Sequence, residues 1–542
     1  MARRRDGAIL PPVSTELLYL LLSVYFALWA NQVFWEKFLE AAGLSLTAAP
    51  RVTVGLFVVL VGVHWLLMLC FVPRILAKPV GISLLIVTPF AVYFMREFGV
   101  YFDKSMLRNV VETDTREARE LLGNIILWLQ VCLYGVVPAA VFALWPQSPA
   151  RGTALALFHR AGWAVACVVI VGLAMWSISA IAVPVFRDKR ELRYLVTPAN
   201  YLVSVARVLG EQTYEPEVLE PIASDAIRGE AASNRRPRVF VVIVGETVRA
   251  ANWGLNGYRR QTTPQLQRRD VYNFPDVESC GTSTAVSLPC MFSLSGRRQH
   301  DEAVIRRSES VLHVLQRTGV DTLWRDNQSG CKGVCRGLPF ESMASLGACP
   351  AGLCYDESLL DGLVDRIGSS QRDFVVVLHM MGNHGPRYYL RYPPAFQRWA
   401  PVCTTANLAQ CSRESIVNAY DNGVAYADHV VARAIDMLVN LDSHDAGLLF
   451  VSDHGESLGE NNVYLHGLPH LIAPAFQKKV PQVLWLSPAL KKSLNVDMAC
   501  LDGISRQPTS HDSLSHLLLG MMNIKTERYE PSLDFLGGCS KR

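Results

Sequence analysis

Apolar positions are unevenly distributed along the chain. Five long apolar runs, Leu17 to Trp35, Val52 to Val72, Val80 to Phe98, Leu121 to Trp145 and Gly162 to Phe186, crowd the first third. Each reaches or approaches the roughly 20 residues needed to cross a bilayer, so residues 1–186 are predicted to form a domain of five transmembrane helices. Arg3, Arg4 and Arg5 precede the first run, which lacks a small-residue cleavage site. It therefore reads as an uncleaved span with a cytoplasmic N-terminus. Alternation then places Arg74, Lys78, Arg151 and Arg160 inside, the acidic Tyr101 to Glu120 loop outside, and everything after Phe186 outside.

Arg187, Lys189, Arg190 and Arg193 then fall on the outer side, against the positive-inside rule. The apolar spacing of ELRYLVTPANYLVSVARVLG predicts an amphipathic helix on the outer leaflet, its basic groups facing lipid phosphates; a solvated helix is the alternative. Residues 187–238 thus form a linker, closing with the polar Glu211 to Arg238 stretch that carries Pro216, Pro221 and Pro237. Beyond it, Val239 to Val244, Phe374 to Leu378 and Leu448 to Val451 are short β-branched runs expected as buried parallel strands. Glu414 to Leu441 has a helical pattern, so residues 239–542 are predicted to be an α/β domain.

Composition supports this division. The 542 residues exceed one average domain, and the net charge of +4 is small and unclustered, so nucleic acid is not an expected partner. Of 13 cysteines, Cys70, Cys132 and Cys167 lie in spans and are expected to pack there. Most of the others form close couples: Cys280 and Cys290, Cys331 and Cys335, Cys349 and Cys354, Cys403 and Cys411, with Cys500 and Cys539 as a further couple. They lack the paired Cys/His spacing of zinc knuckles, and disulfides suit an oxidising compartment, although sequence leaves the connectivity open.

The predicted strands end in residues able to bind metal or phosphate: Glu246 in VVIVGET, His379 and His384 in VVVLHMMGNHG, Asp453 and His454 in LLFVSDHG. Open α/β sheets gather ligands outside the carboxyl ends of their strands, so these groups should converge. Carboxylate oxygens with imidazole nitrogen suit zinc or manganese better than calcium, and zinc is the expected ion. CGTSTAVSLPCMF supplies several hydroxyls before a helical pattern. They serve either as helix caps or as a metal-activated nucleophile.

NVVETDTREA, VGETVRAANWGLNGYRRQTTPQL, CGTSTAVSLPCMFS, HMMGNHGP and SDHGESLGENNVYLHG, in this order over nearly the whole chain, resemble the lipid A phosphoethanolamine transferases. That family includes the mobile colistin-resistance enzymes and belongs to the alkaline phosphatase and sulfatase superfamily. The resemblance implies that Glu246, Asp453, His454 and Thr284 bind one tightly held zinc, with Thr284 also the nucleophile. It implies that His384 and His466 contact the substrate phosphate or a second zinc during turnover, with either a possible proton donor. Lys332 and His379 would lie near the phosphate. Asn109, Thr113 and Glu117, at four-residue steps, would line one helix face toward phosphatidylethanolamine.

The implied activity is phosphoethanolamine transfer from phosphatidylethanolamine to a lipid A phosphate through a covalent threonine, releasing diacylglycerol and conferring polymyxin resistance. The implied setting is the inner membrane of a Gram-negative cell, with the catalytic domain in the periplasm and the protein a monomer. The rival readings are a glycerophosphate polymerase, a transferase acting on core sugars, and a non-catalytic membrane sensor.

Overall fold

The computed structural model describes residues 11–47, 49–112, 115–149, 152–212, 218–229, 235–347, 349 and 354–540. The chain divides into two compact units, residues 1–107 with 124–208, and residues 108–123 with 209–542.

In the first unit four helical stretches are long and apolar enough to cross a membrane: Pro50–Phe71, Arg74–Phe98, Ile125–Leu144 and Ala154–Asp188. A fifth crossing exists if Thr15–Ala30 and Gln32–Ala42, bent by 61° relative to each other, count as one span. The expected first span, Leu17 to Trp35, lies across this bend. Asn31 breaks it, because its side-chain amide donates to the Phe26 carbonyl (2.9 Å) and the Thr197 carbonyl (2.7 Å) instead of leaving the helix ladder undisturbed. The last span starts at Ala154, ahead of the expected Gly162.

Basic groups expected on one side of the membrane meet helix ends. Arg160 donates to the carbonyls of Met68 (2.9 Å), Leu69 and Val72, and Lys78 to that of Ala143 (2.6 Å). Both satisfy orphan carbonyls at negative helix termini. Among the span cysteines only Cys167 is buried, its thiol donating to the Gly62 carbonyl at 3.2 Å. Cys70 and Cys132 are exposed on the helix surfaces, which corrects the expectation that all three pack. The expected amphipathic helix is interrupted: a 3₁₀ turn, Arg190–Leu195, precedes the helix Ala199–Gln212. Pro198, which lacks an N–H, separates the two.

The second unit is built on a mixed sheet of eight strands. These are β1 (Arg238–Gly245), β2 (Tyr272–Glu278), β3 (Asp321–Asp326), β4 (Phe340–Ser342), β5 (Phe374–His379), β6 (Asp445–Ser452), β7 (Lys479–Leu486) and β8 (Thr509–Ser510). Their order across the sheet is β8-β2-β7-β6-β1-β5-β3-β4. The run from β6 to β4 is parallel, β7 is antiparallel to both neighbours, and β8 is parallel to β2.

Central position explains the apolar runs read from sequence, since every residue of β1, β5 and β6 is buried. Alternate side chains feed opposite cores. Phe240, Val242 and Val244 pack with Leu288, Met291 and Leu517 on one face, and Val239, Val241 and Ile243 pack with Trp253, Tyr420 and Val431 on the other. Burying each such side chain is worth about 1.5–3 kcal/mol before entropy is counted. The helix predicted from Glu414 to Leu441 spans Arg413–Val439, opened by Ser412, whose hydroxyl accepts from Ser415 N. Five disulfides, Cys280–Cys290, Cys331–Cys335, Cys349–Cys354, Cys403–Cys411 and Cys500–Cys539, close short stretches of this unit.

Candidate active site

Three adjacent parallel strands, β6, β1 and β5, end on one edge of the sheet. The residues just past β1 and β6 are Glu246, Asp453 and His454, all buried, whose ligand atoms lie within 4.8 Å of one another. The helix Thr284–Met291 brings its first residue to the same point. Thr284 Oγ1 donates toward Glu246 Oε1 (3.2 Å) and Oε2 (3.1 Å) and lies 3.3 Å from His454 Nε2. Ser283 is the N-cap by position, yet its hydroxyl makes no cap bond, so helix capping does not account for these hydroxyls.

The group fits a metal ion on three observations. His454 Nδ1 donates to the Gly455 carbonyl (3.0 Å), a bond that leaves Nε2 as the ligating nitrogen facing Glu246 and Asp453. Asp453 Oδ1 accepts from Thr247 N (3.2 Å) and His454 N (2.7 Å), whereas buried Oδ2 has no hydrogen-bond partner. The charges also call for a cation. Burial and the neighbouring Glu246 push Asp453 up to about 7. Burial works against the charged form of His454, but Asp453 and Glu246 outweigh it and hold the imidazole up to about 10. A cluster that clings to protons in this way is one that a divalent ion would neutralise, with proton release.

The two histidines singled out with this cluster lie beside it. The His466 ring is centred 4.3 Å from that of His454 and 5.5 Å from that of His384. His384 Nδ1 donates to the Gly385 carbonyl at 2.9 Å. His379 stands behind the cluster. Its Nδ1 donates to Asp326 at 2.8 Å while Nε2 faces Glu246 at 3.8 Å. Burial opposes its protonation, but Asp326 and Glu246 lift it to about 9. Lys332 sits in the Cys331–Cys335 loop with φ +48° and lines a small cavity with Pro289, Ser293 and Ser310. Asn109 is on the helix Lys104–Glu112, half-buried. Thr113 lies outside the described residues, and Glu117 falls on the helix Thr115–Leu122 with its side chain outside them too.

Several residues that sequence reasoning passed over hold this arrangement. Glu456 is fully buried, accepts from Tyr388 (2.6 Å) and bonds His466 Nδ1 (2.8 Å), which fixes that ring's orientation. His511 donates from Nε2 to the Ser452 carbonyl (2.9 Å) and accepts at Nδ1 from Cys280 N (3.1 Å), joining the end of β6 to the Thr284 loop. Ser287 donates to the Asp453 carbonyl at 2.6 Å. Asp356 accepts from Met381 N (2.7 Å) and Gly382 N (2.9 Å), pinning the turn before His384. The ESLGE and SDHG runs carried a signal for Glu456, four residues past the end of β6; nothing local marked His511 or Asp356.

A family model described as Sulfatase matches residues 238–524, and one described as Phosphoethanolamine transferase EptA/EptB matches residues 60–213. The chain is 37% identical over 538 residues to phosphoethanolamine transferase EptA of Escherichia coli K12, covering 98% of both chains. It is 35% identical to phosphatidylethanolamine transferase Mcr-1 of Escherichia coli, covering 97% of this chain and 98% of that one. The structure of the integral membrane lipooligosaccharide phosphoethanolamine transferase A from Neisseria meningitidis superposes with a TM-score of 0.92 at 34% identity, covering 98% of this chain and 100% of that one. With its span-length apolar helices, its sulfatase-type sheet and these full-length matches, the chain belongs to the phosphoethanolamine transferases and is a multi-pass membrane transferase.

Proposed function

We propose that the protein transfers phosphoethanolamine from phosphatidylethanolamine to a phosphate of lipid A through a covalent intermediate on Thr284, releasing diacylglycerol. The observation that carries this reading is the Thr284 hydroxyl held 3.1–3.3 Å from the Glu246 carboxylate and His454 Nε2, at a buried helix N-terminus. The acceptor class rests on a relative, 27% identical, whose name makes Kdo(2)-lipid A its acceptor, and reaction at a phosphate rather than at a sugar position is part of the proposal.

Glu246, Asp453, His454 and Thr284 would hold zinc, which supplies charge that favours the alkoxide and neutralises phosphate oxygens. In the first step Thr284 Oγ1 forms a bond to the donor phosphorus, and the bond from phosphorus to the diacylglycerol oxygen breaks. Thr284 gives up its hydroxyl proton and the leaving oxygen takes it up, relayed by His384 or His466, the imidazoles beside the cluster. Glu456 holds His466 by Nδ1, so the opposite nitrogen is the one directed at substrate. In the second step a lipid A phosphate oxygen bonds to phosphorus, the bond from phosphorus to Thr284 Oγ1 breaks, and the threonine regains its proton. Each displacement inverts phosphorus.

Lys332, His379, Asn109, Thr113 and Glu117 are proposed to receive the donor head group, with a carboxylate such as Glu117 pairing with the ammonium. The natural setting is the inner membrane of a Gram-negative cell with residues 239–542 in the periplasm, where membrane anchoring concentrates both lipids at the site. Added ammonium groups lower the net negative charge of lipid A, which weakens polymyxin binding.

Purified protein given fluorescent phosphatidylethanolamine should release labelled diacylglycerol, and Thr284→Ala should abolish release. Lipid A from expressing cells should gain the mass of phosphoethanolamine; unchanged lipid A with modified core sugars would overturn the acceptor.

A further inference from the structure

A cleft of about 650 Å³ opens beside the active site, lined in part by Glu278, Ser279, Arg297, Lys479 and Ser510. Its placement follows from strand direction. β2 is antiparallel to β7, and β7 is antiparallel to β6, so β2 and β6 run the same way, and β8 runs with β2. Glu278 and Ser510, the last residues of β2 and β8, therefore lie on the same sheet edge as Asp453. With strands about 4.8 Å apart, they are displaced from it by roughly 10–15 Å. The cleft volume suits part of a small polar head group.

Its charge is the informative feature. Arg297 is half-buried, and its guanidinium makes one hydrogen bond, from Nη1 to the Cys280 carbonyl at 3.4 Å, with no ion pair among the described residues. Asp512, the near carboxylate, accepts from the backbone N–H groups of Arg297 (2.5 Å) and Arg298 (3.3 Å), which fixes the turn, and it pairs with Arg298 Nε (3.4 Å) rather than with the Arg297 head. Lys479 is paired with Asp276 and Glu278. His470, whose Nε2 meets the Ser279 carbonyl, is driven down to about 4 by burial and then by the positive charges of Arg297 and Lys478. A half-buried guanidinium that no carboxylate meets at ion-pair distance among the described residues, although Glu278 and Asp512 lie near enough to act on its charge, is suited to bind a phosphate a few strands from the proposed phosphoryl-transfer site.

We infer that this cleft receives a second, non-reacting phosphate and its sugar from the acceptor head group, with Arg297 as the specificity-determining contact. This rests on the reading that the acceptor is a phosphorylated glycolipid, one of whose phosphates reacts at Thr284 while the other is carried across a disaccharide. Two to three strand spacings separate the two positions, the scale of such a head group. No bond is made or broken in the cleft, and the donor lipid does not use it.

The test uses the full-length protein in detergent with labelled phosphatidylethanolamine and either a bisphosphorylated or a monophosphorylated lipid A. Arg297→Gln should raise the KM for the bisphosphorylated acceptor about tenfold, the scale of one charge-assisted phosphate contact. The monophosphorylated acceptor should be little affected. Diacylglycerol release measured without acceptor, which reports the donor half-reaction and the intact fold, should not change, and Arg297→Lys should recover most of the loss. Ser532→Glu, an exposed position on the cleft rim, should raise the same KM by charge repulsion and carries the test alone if Arg297→Gln does not accumulate. An unchanged acceptor KM in the variants that fold, or an equal fall in the donor half-reaction, overturns the cleft assignment while leaving transfer to lipid A intact. A wild-type protein that cleaves the donor but never modifies either acceptor overturns the acceptor reading and this inference with it.

Discussion

Gly382, in the turn between β5 and His384, is the position where a single methyl group should do most damage for its size. It has φ +51°, and a Cβ built there would lie 2.6 Å from the Glu246 carbonyl oxygen, 2.8 Å from Glu246 N and 2.9 Å from Glu246 Cβ. Alanine meets two costs. The left-handed backbone disfavours it by about 1–2 kcal/mol, and overpacking against main chain adds about 1–3 kcal/mol. The turn has little room to yield, because Asp356 holds Met381 N and Gly382 N, and Asn383 N donates to the same Glu246 carbonyl at 2.9 Å. Glu246 must therefore move by ~0.4 Å or more, and its carboxylate is the one that meets Thr284. Displacement on that scale at Thr284, the proposed nucleophile, should lower transfer by one to two orders of magnitude, on the order of 10²-fold for a 1 Å error. Gly382→Ala is expected to lose about 2–5 kcal/mol of stability and most of the proposed zinc, read by thermal unfolding in detergent, metal analysis and diacylglycerol release. Gly319→Ala is the control: φ there is +87° with nothing within 4 Å, so it should pay the backbone term alone and keep full activity. A Gly382→Ala protein with wild-type metal content and rate would refute the claim that this glycine sets the place of Glu246.

Three further outcomes follow from the same geometry. His511→Ala leaves the Cys280 N–H and the Ser452 carbonyl unpaired in a buried site and should cost about 2–4 kcal/mol in a melt near pH 8. Burial drives His511 down to about 3, below its unfolded value near 6.5, so its stabilising contribution is complete above pH 6.5 and falls by roughly 1.4 kcal/mol per unit as pH drops below that. The gap between wild type and His511→Ala should therefore narrow from pH 7 to pH 5, and a constant gap would contradict the assignment. Chelator treatment should lower the melting temperature by exposing the unneutralised Glu246 and Asp453 pair, whereas Asp453→Asn, which cannot complete the ligand set, should melt at the same temperature with or without chelator. Replacing Cys280 and Cys290 together by alanine should cost about 3 kcal/mol on loop-entropy grounds, given their separation of 10 residues, measured by the shift in denaturant midpoint.

The parts of this protein legible in its sequence are those where one physical demand governs a whole segment. Lipid on the outside of a helix and sheet on both sides of a strand each impose an unbroken apolar run, which is why Pro50–Phe71, β1, β5 and β6 could be read from composition alone. Strands β3 and β7 escaped because DTLWRD and KVPQVLWL mix charges or proline with apolar residues, and only their neighbours make them strands. The break at Asn31 was equally hidden, since its partner Thr197 is 166 residues away. In the site, Glu246, Asp453 and His454 could be named because they follow strands directly. His511 and Asp356 act through backbone atoms of distant loops, so no spacing in their own neighbourhoods reveals them.

The disulfide that brackets Thr284, the proposed nucleophile, bears on when activity begins. Cys280 and Cys290 flank Thr284, so the loop that presents the hydroxyl is tied at both ends only after two thiols have been oxidised. A newly made chain still surrounded by reductant carries Thr284 and the Glu246, Asp453 and His454 cluster without that tether. With residues 239–542 in the periplasm, as proposed, maturation would be coupled to export: lipids of the compartment in which the chain is synthesised would be spared, and the oxidation machinery beyond the membrane would help set how much working transferase a cell possesses.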